Sequence, residues 1–506
     1  MSTPNELELL KKVQTGIPGF DLISLGGLPK GRTSLVTGTA GTGKTIFACQ
    51  FLVEGIKRGQ NGVFVTFEEP PAMVRKNVRG FGWNIEQWEE EGKWAIVDAT
   101  AEDFSDLLIS GDYDLGALLA RIQYAINQVD AQRISLDSIS SILSYVPDRG
   151  RVRRDLFRIS AALRELDITA VLTAERTDEY GQISSYGVEE FVADNVIILR
   201  HVLAQERRRR TVEILKYRGT EHQGGEFPFT ILPDRGIVVI PFSAKGLIQT
   251  SSVNRITSGN AELDQLCGGG FFRETVVLVS GATGTGKTLM ATEFLVGGIT
   301  SNERSLLLAF EENRQQLIRN AANWGVNFEQ MEQEGLLKVI CRSPEEMGLE
   351  SHFVRMREEI EEFKPQRVAL DSISALENAS TIQGFREFLL TLSALLKERG
   401  ITGFLTCNTA TLTGGASITQ NKISTSTDLI ILLRYIEIYG EIRRGLTVLK
   451  MRGSAHDKGI REYTIDDQGM HLGQPFRNVS GILSGNPTST SQNEIDRLSS
   501  LLEENE

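Results

Sequence analysis

The sequence predicts an α/β protein of two tandem domains, each with a mainly parallel sheet that carries helices on both faces. Three observations predict it: a glycine-rich motif occurs twice, an internal repeat spans most of the chain, and apolar strand-like runs alternate with helical segments in both halves. Strands that alternate with helices are typical of parallel sheets, because parallel neighbours need a crossover connection. With 506 residues, of which 40% are hydrophobic, the chain can build two large cores.

The glycine-rich motif has the form G-x-x-x-x-G-K-[ST], at Gly281–Thr288 (GATGTGKT) and at Gly38–Thr45 (GTAGTGKT). In such a loop, backbone N–H groups and the lysine bind nucleotide phosphates, and the last hydroxyl binds Mg²⁺. The following helix N-terminus also favours anions. A glycine-rich turn is the alternative for one match alone, whereas two matches between strand and helix favour two sites for ATP and Mg²⁺. The candidate nucleotide-binding residues are Gly38, Gly41, Thr42, Gly43, Lys44 and Thr45, and Gly281, Thr283, Gly284, Thr285, Gly286, Lys287 and Thr288, with Thr45 and Thr288 as candidate metal ligands.

The repeat is visible as matched blocks at constant offsets. FLVEGI at Phe51–Ile56 recurs as FLVGGI 243 residues later, and RISLDSIS at Arg133–Ser140 recurs as RVALDSIS 234 residues later. Constant offsets indicate a duplication, with about nine fewer residues in the middle of the second copy. The predicted division is a first domain over residues 1–245, a second over 256–484, and an exposed polar tail over 485–506.

Composition excludes several classes of protein. No apolar run reaches the length of about 18 residues that a membrane helix needs, and the N-terminus has no apolar signal segment. The four scattered cysteines predict free thiols in a reducing cytoplasm. A net charge of −12 makes nucleic acid an unlikely partner, and the single basic run, Glu206–Arg210, is better explained by an exposed hairpin or a subunit contact.

Carboxylates follow the ends of two predicted strands in each half. An Asp at a strand end, which we expect next to the strand of the phosphate loop, can hold Mg²⁺ through water or orient the nucleophile. A pair of glutamates at the other strand end can polarise a water or hydroxyl and touch the metal. A turn-capping Asp and solvated loop acids are the alternatives. The candidate catalytic residues are Glu68, Glu69 and Asp137 in the first half and Glu311, Glu312 and Asp371 in the second, with Glu311 also a candidate metal ligand.

A basic pattern, K-x-R-G-[ST]-x-H, lies late in each half, far along the chain from its own phosphate loop. Basic groups so placed suit the triphosphate of a neighbouring subunit, as arginine fingers do. A solvated basic loop is the alternative. The candidates are Lys216, Arg218 and His222, and Lys450, Arg452 and His456; Arg210 and Arg444, six residues earlier in each half, are candidates to join them.

The two halves differ at a hydroxyl-rich segment. Ser424–Thr427 (STST) precedes Asp428, and the matching positions of the first half, Glu190–Ala193, carry no hydroxyl. Only the second half therefore offers Ser/Thr acceptors there, unless the segment is simply a polar turn.

These blocks together resemble the KaiC family of circadian clock proteins, which are tandem RecA-like ATPases and autokinases. The resemblance covers Thr15 to about Pro487 and is carried by the paired phosphate loops, the paired glutamates, KMRGSAHDK and SITQNKISTSTD. It implies slow ATP hydrolysis in the first domain, autophosphorylation in the second, and a homohexamer held by ATP between subunits. The residues it implies are Ser424 and Thr425 as the phosphorylated pair, Thr419 as an auxiliary site, Glu311 as general base with Glu68 as its ATPase counterpart, and Trp324 beside the second nucleotide, opposite Phe81 of the first half.

Two departures from the resemblance matter. Asn378 stands where well-studied members have a basic residue, and the peptide Thr488–Glu506 has five acidic residues against one basic. We therefore expect a weak response to the activator KaiA, which in the family engages this tail, whereas KaiB on the first domain remains a plausible partner. The rival functions are a RecA-type DNA-handling ATPase and a nucleotide-gated scaffold.

Overall fold

The computed structural model describes residues 10–100, 115–143, 149–184, 187, 189–204, 206–241, 252–409, 427–438, 440–477, 479–482 and 488–489. The chain divides into two compact units, Met1–Phe242 and Ser243–Glu506. Ser424, Thr425 and Thr419, and most of the tail, lie outside the described residues.

The first unit contains eleven described strands and eight described helices. Its strands are β1 (Lys12–Val13), β2 (Leu28–Pro29), β3 (Thr33–Gly38), β4 (Asn61–Thr66), β5 (Trp94–Asp98), β6 (Ala131–Asp137), β7 (Thr169–Glu175), β8 (Asn195–Ala204), β9 (Arg207–Tyr217), β10 (Glu226–Leu232) and β11 (Gly236–Val239). Its helices are α1 (Phe20–Ile23), α2 (Lys44–Lys57), α3 (Pro71–Arg79), α4 (Ile85–Glu90), α5 (Leu115–Val129), α6 (Ile139–Leu143), α7 (Arg149–Glu165) and α8 (Glu189–Val192).

Nine strands of this unit form one sheet, in the order β11-β10-β9-β8-β3-β7-β6-β4-β5. The six strands from β8 to β5 are parallel, and β9, β10 and β11 extend the sheet as antiparallel hairpins. Strand β3 is fully buried, with Leu35 in the core on one face and Val36 in the core on the other. Burial on both faces explains why its sequence is a continuous apolar run.

The second unit repeats this arrangement. Its strands are β12 (Arg255–Ile256), β13 (Phe271–Phe272), β14 (Val276–Gly281), β15 (Ser305–Ala309), β16 (Leu337–Cys341), β17 (Arg367–Asp371), β18 (Thr402–Asn408), β19 (Leu429–Ile438), β20 (Glu441–Met451), β21 (Arg461–Asp466), β22 (Gly469–Pro475), β23 (Val479–Ser480) and β24 (Thr488–Ser489). Its helices are α9 (Ala261–Leu266), α10 (Lys287–Ile299), α11 (Arg314–Asn323), α12 (Phe328–Gln333), α13 (Leu349–Phe363), α14 (Ile373–Asn378) and α15 (Ile382–Glu398).

The nine-stranded sheet of the second unit has the order β16-β15-β17-β18-β14-β19-β20-β21-β22. When the first sheet is read from its β5 edge, each of its strands has its counterpart at the same position. The predicted α/β class, with two tandem domains of mainly parallel sheet, is confirmed. Among the described residues, none of the helices is long and apolar enough to cross a membrane.

Candidate functional site

The phosphate loop of the second unit joins the end of β14 to the start of α10. Gly284 and Gly286 have φ angles of 82° and 93°, in the left-handed region that favours glycine. The Lys287 side chain is only 7% exposed and donates a hydrogen bond from Nζ to the Ala282 carbonyl at 2.9 Å. The Lys287 ammonium group is therefore bound to the backbone of its own loop, and a bound phosphate would replace the Ala282 carbonyl as its partner.

The first unit has the same loop between β3 and α2. Gly41 and Gly43 have φ angles of 75° and 101°, and Lys44 Nζ donates to the Gly38 and Thr39 carbonyls at 3.0 Å each. Burial lowers the pKa of Lys44 and of Lys287, against the opposing effect of nearby carboxylates. Each lysine lies among carboxylates in a partly desolvated loop, a setting that suits an incoming phosphate and metal.

The strand-end aspartates meet the last residue of each phosphate loop. Thr288 Oγ1 donates to Asp371 Oδ2 at 2.6 Å, and the opposite carboxylate oxygen accepts from Thr406. Burial raises the pKa of Asp371, and it raises that of Asp137 in the matching contact with Thr45. Each unit therefore places a strand-end aspartate, a candidate for orienting Mg²⁺ or the nucleophile, in contact with the threonine of its phosphate loop.

The predicted place of the aspartate strands in the sheet is wrong. We expected each aspartate on the strand next to the phosphate-loop strand, but β7 separates β6 from β3, and β18 separates β17 from β14. The inserted strands come later in the chain, and sequence order does not reveal that they pair between two earlier strands. They bring to the site residues that belong to none of the sequence motifs: Thr173 and Glu175, and Thr406 and Asn408.

The oxygen donors at this edge fit Mg²⁺. Thr45 and Thr288 offer hydroxyls beside Asp137 and Asp371, and Mg²⁺ in nucleotide sites is typically held by one or two carboxylates together with substrate phosphates and water. Among the described residues, no group of three or more His, Cys, Asp or Glu side chains forms a metal cage. A metal that depends on ATP phosphates for most of its ligands is consistent with both observations.

The two glutamates of each pair have different surroundings. Glu311 Oε1 accepts hydrogen bonds from Ser372 Oγ at 2.5 Å and Asn408 Nδ2 at 2.7 Å, whereas Glu312 accepts from Asn320 at 3.0 Å. Burial raises the pKa of Glu312.

The first unit separates its pair in the same way. Glu68 accepts from Ser141 at 2.6 Å, and Glu69 accepts from Asn77 of α3 at 2.9 Å. In each pair, therefore, the first glutamate is hydrogen-bonded to a residue that follows the aspartate strand, and the second to a helix asparagine.

The K-x-R-G motifs lie at the opposite edge of the sheet from their own phosphate loops. Arg452 is 3.8 Å from Asp428, whose backbone N–H donates to the carbonyl of Val276, the first residue of β14. The phosphate loop begins at the other end of that strand, five residue steps or about 17 Å away at about 3.3 Å per residue. Lys450 Nζ binds the Thr427 carbonyl at the same edge, at 2.7 Å.

The first unit repeats this placement. Arg218 is 3.8 Å from Asp194, whose N–H donates to Thr33 at the start of β3, and Lys216 binds the Ala193 carbonyl at 2.8 Å. His222 lies 5.7 Å from the Tyr217 ring. His456 has a buried Nδ1 without a partner among the described residues. These basic groups are far from the triphosphate site of their own unit.

The expectation that Arg210 and Arg444 join that basic group is wrong. Arg444 pairs with Tyr435 in the β19–β20 ladder, two residues beyond the pairing of Leu433 with Gly281. It lies over the Tyr435 ring at 5.9 Å, and the Tyr435 hydroxyl donates to the Thr283 carbonyl at 3.4 Å. Arg444 is therefore beside its own phosphate loop, and the ladder puts Arg210 at the same position in the first unit.

The two aromatic candidates lie just beyond equivalent helices. Trp324 follows α11 and is half-buried against the core of the second unit. Phe81 follows α3 and packs on Trp83 with ring centroids 5.1 Å apart. Their position beside a nucleotide stays a prediction.

Comparison with known proteins assigns both units to one family. A family model for the KaiC ATPase matches the chain twice, over residues 13–244 and 256–475. The chain belongs to the KaiC family. It is 63% identical over 499 residues to the circadian clock protein KaiC3 of Synechocystis, covering 99% of each chain.

Other KaiC proteins are similar over almost the whole length. The circadian clock oscillator protein KaiC of Thermostichus vulcanus is 51% identical over 490 residues, which is 97% of this chain and 94% of that protein. The KaiC of Rippkaea orientalis is 50% identical over 501 residues, 99% of this chain and 96% of that protein. Both units are thus KaiC-type, nucleotide-binding ATPase domains of a circadian clock family.

Proposed function

We propose that this protein is a slow ATPase and an autokinase that works as a homohexamer, and that its second unit phosphorylates Ser424 and Thr425 of a neighbouring subunit. The observation that carries the proposal is the position of Thr427. Its carbonyl is held by Lys450, and the next residue is bonded to the start of β14, at the edge opposite the phosphate loop.

The length of chain between Thr427 and the acceptors supports transfer between subunits. Ser424 is three residues from Thr427, and three residues span at most about 11 Å even when fully extended. The phosphate loop of the same unit begins about 17 Å away, at the far end of β14. On these lengths the acceptor backbone falls short of the phosphate loop of its own unit, which supports transfer from the nucleotide of another subunit.

The basic motifs support the same assembly. Arg452 lies about half exposed at the edge of the second unit that leads to the acceptor segment, and Arg218 is equally exposed at the matching edge of the first unit. Their charge suits the triphosphate of an adjoining copy, where an arginine supplied in trans stabilises the transferring phosphoryl group. ATP bound between subunits would then hold the ring together.

Phosphoryl transfer in the second unit requires a base and a charge-stabilising loop. Glu311 takes the proton of the acceptor hydroxyl as the hydroxyl oxygen bonds to the γ-phosphorus, and the bond to the bridging oxygen breaks so that ADP leaves. Lys287 and the loop N–H groups hold the phosphates. Thr288 and Asp371 would hold and orient Mg²⁺, and the bound ion would neutralise phosphate charge.

The first unit lacks an acceptor hydroxyl at the matching positions, Glu190–Ala193. Water is the remaining nucleophile for ATP bound there, with Glu68 as its base. We therefore assign hydrolysis to the first unit and phosphorylation to the second. We further propose KaiB as a partner of the first unit and the cytoplasm as the compartment, where the four free thiols would remain reduced.

Mixed subunits test the proposal. One chain carries Lys287→Ala and keeps its acceptors, and the other keeps its second site but carries Ser424→Ala with Thr425→Ala. Neither chain alone should incorporate phosphate at the pair, whereas co-assembled chains should acquire it on the Lys287→Ala chain, as read by intact and fragment mass spectrometry. Phosphate that never appears on that chain, although native mass spectra show mixed rings and wild-type rings are phosphorylated, contradicts transfer between subunits.

A further inference from the structure

The strand inserted beside each phosphate-loop strand ends in a different residue in the two units. Asn408 ends β18 and pairs with Gly281, and Glu175 ends β7 and pairs with Gly38. The backbone N–H of each donates to a serine hydroxyl at 2.8 Å, Ser374 for Asn408 and Ser140 for Glu175. The two sites therefore hold the same backbone position in the same way and differ in the side chain placed there.

Asn408 contacts the glutamate that we propose as the base. Its Nδ2 and the Ser372 hydroxyl both donate to Oε1 of Glu311, at 2.7 and 2.5 Å. Within the described part of the chain, Oε2 accepts no hydrogen bond. Two donors on one carboxylate oxygen fix the rotation of the carboxylate and leave the other oxygen to receive a proton.

The first unit holds Glu68 differently. Its Oε1 accepts from Ser141 of α6, and the hydroxyl of Ser138, which corresponds to Ser372, is buried without a partner among the described residues. The side chain equivalent to Asn408 is the carboxylate of Glu175, whose charge raises the pKa of Lys44 against the larger effect of burial. The position thus supplies an amide donor to the base in one unit and a further negative charge near the phosphate site in the other.

We infer that Asn408 is a positioning residue for phosphorylation: it orients Glu311 so that Oε2 faces the incoming protein hydroxyl. The residue at this strand end then separates the two chemistries, an amide for transfer to a protein hydroxyl and a carboxylate for transfer to water. The inference rests on the proposed autokinase function. The bonds made and broken are those of phosphoryl transfer, and Asn408 exchanges no proton with the substrate.

The test is Asn408→Asp, which keeps the shape of the side chain and removes the donor. We expect the phosphorylation rate at saturating Mg-ATP to fall roughly 10- to 100-fold, as is typical when a reacting group loses its orientation. The affinity of the second unit for ATP should change less than about threefold, because Asn408 acts on the base. The matched control is Asn302→Asp, the same substitution in an exposed turn at the far end of α10, which should leave the rate unchanged.

A double-mutant cycle separates positioning from a structural effect. If Asn408 acts through Glu311, then Asn408→Asp should change the residual rate of a Glu311→Gln chain by less than about twofold. An equal loss in both backgrounds, a parallel loss of ATP affinity, or a wild-type rate in Asn408→Asp would each overturn the inference and leave the proposed function standing. A wild-type chain that incorporates no phosphate would overturn the proposed function, and the inference with it.

Discussion

Glu293 in α10 holds the place that Gln50 holds in α2, and the two side chains bind the C-terminal hairpin of their units in different ways. Gln50 Oε1 accepts from the Ile237 N–H at 2.8 Å, and its Nε2 donates to the Ile237 carbonyl at 3.2 Å. Glu293 accepts from the Met470 N–H at 2.8 Å, and the Met470 carbonyl is bound by Asn260 instead. The second unit thus has an acid where the first has a neutral amide.

That acid should make the second unit less stable as the pH rises. Burial raises the pKa of Glu293 to about 7 from an ordinary value of 4.5, with Glu262 adding to the shift and His471 opposing it. A raised pKa in the folded state means that stability is greatest below about pH 4.5, declines between pH 4.5 and 7, and stays reduced above 7. Glu293→Gln should remove that decline.

We expect Glu293→Gln to raise the unfolding free energy at pH 8 by on the order of 3 kcal/mol, since the pKa rises from 4.5 to about 7 and one pKa unit is worth about 1.4 kcal/mol. At pH 5 the gain should be much smaller. The gain is measured by urea unfolding of the nucleotide-free chain, monitored through hydrogen exchange in peptides of α10. Gln50→Glu is the matched control, and it should introduce the same pH dependence into the first unit. Equal gains at both pH values would contradict the assignment.

ATP hydrolysis should depend on Glu68 far more than on Glu69. Glu68 accepts a hydrogen bond from Ser141, which follows the aspartate strand, whereas Glu69 accepts one from Asn77 of α3. We expect Glu68→Gln to slow phosphate release by about 10²- to 10⁴-fold, as is typical for loss of a positioned base. Glu69→Gln alone should cost less than about tenfold, and the second unit should still be phosphorylated in both variants. Similar losses in the two single variants would show that the pair acts together.

Assembly should depend on ATP in the first unit. Lys44→Ala removes the buried charge that we propose as a phosphate ligand, so we expect fewer subunit contacts through ATP. Native mass spectrometry should show less hexamer for this variant and for wild-type protein without nucleotide. Lys57→Ala, at the exposed end of the same helix, is the control. A hexamer fraction that does not respond to nucleotide would rule out ATP as the link.

Phosphorylation should stop when the Ser-Thr pair is removed. Ser424→Ala with Thr425→Ala should abolish most incorporation, because Thr427 is only 1% exposed and lies at the buried edge. Fragment mass spectra should then show no phosphate on Thr427. Incorporation at full rate on Ser426 or Thr427 would mean that the acceptor register is wrong.

The acidic tail should weaken the response to KaiA. The peptide Thr488–Glu506 carries five acidic residues and one basic residue, and like charge against a groove suited to a more basic tail slows association. We expect phosphorylation without KaiA and a stimulation of less than about twofold with it. A time course of the full chain and of a chain ended after Pro487 measures this. Strong stimulation that disappears on truncation would contradict the prediction.

Local patterns in the sequence were enough to determine the main parts of this protein. Glycines followed by Lys-Thr identified both phosphate loops, because such a turn needs glycine at positive φ and the chemistry needs lysine and a hydroxyl. Repeated offsets identified the duplication. The position of Asp371 and Glu311 directly after apolar runs marked them as candidate site residues. Each of these signals lies within a few consecutive residues, and each occurs in both halves.

Only the tertiary structure decided which of these parts meet. Strands β7 and β18 pair between two earlier strands, which brings Asn408 to Glu311 across 97 residues of chain. The ladder that joins β19 to β20 separates Arg444 from Arg452 and sends them to opposite edges of one sheet. Strand order and register result from long-range pairing and burial of both sheet faces, and no local pattern of residues encodes them.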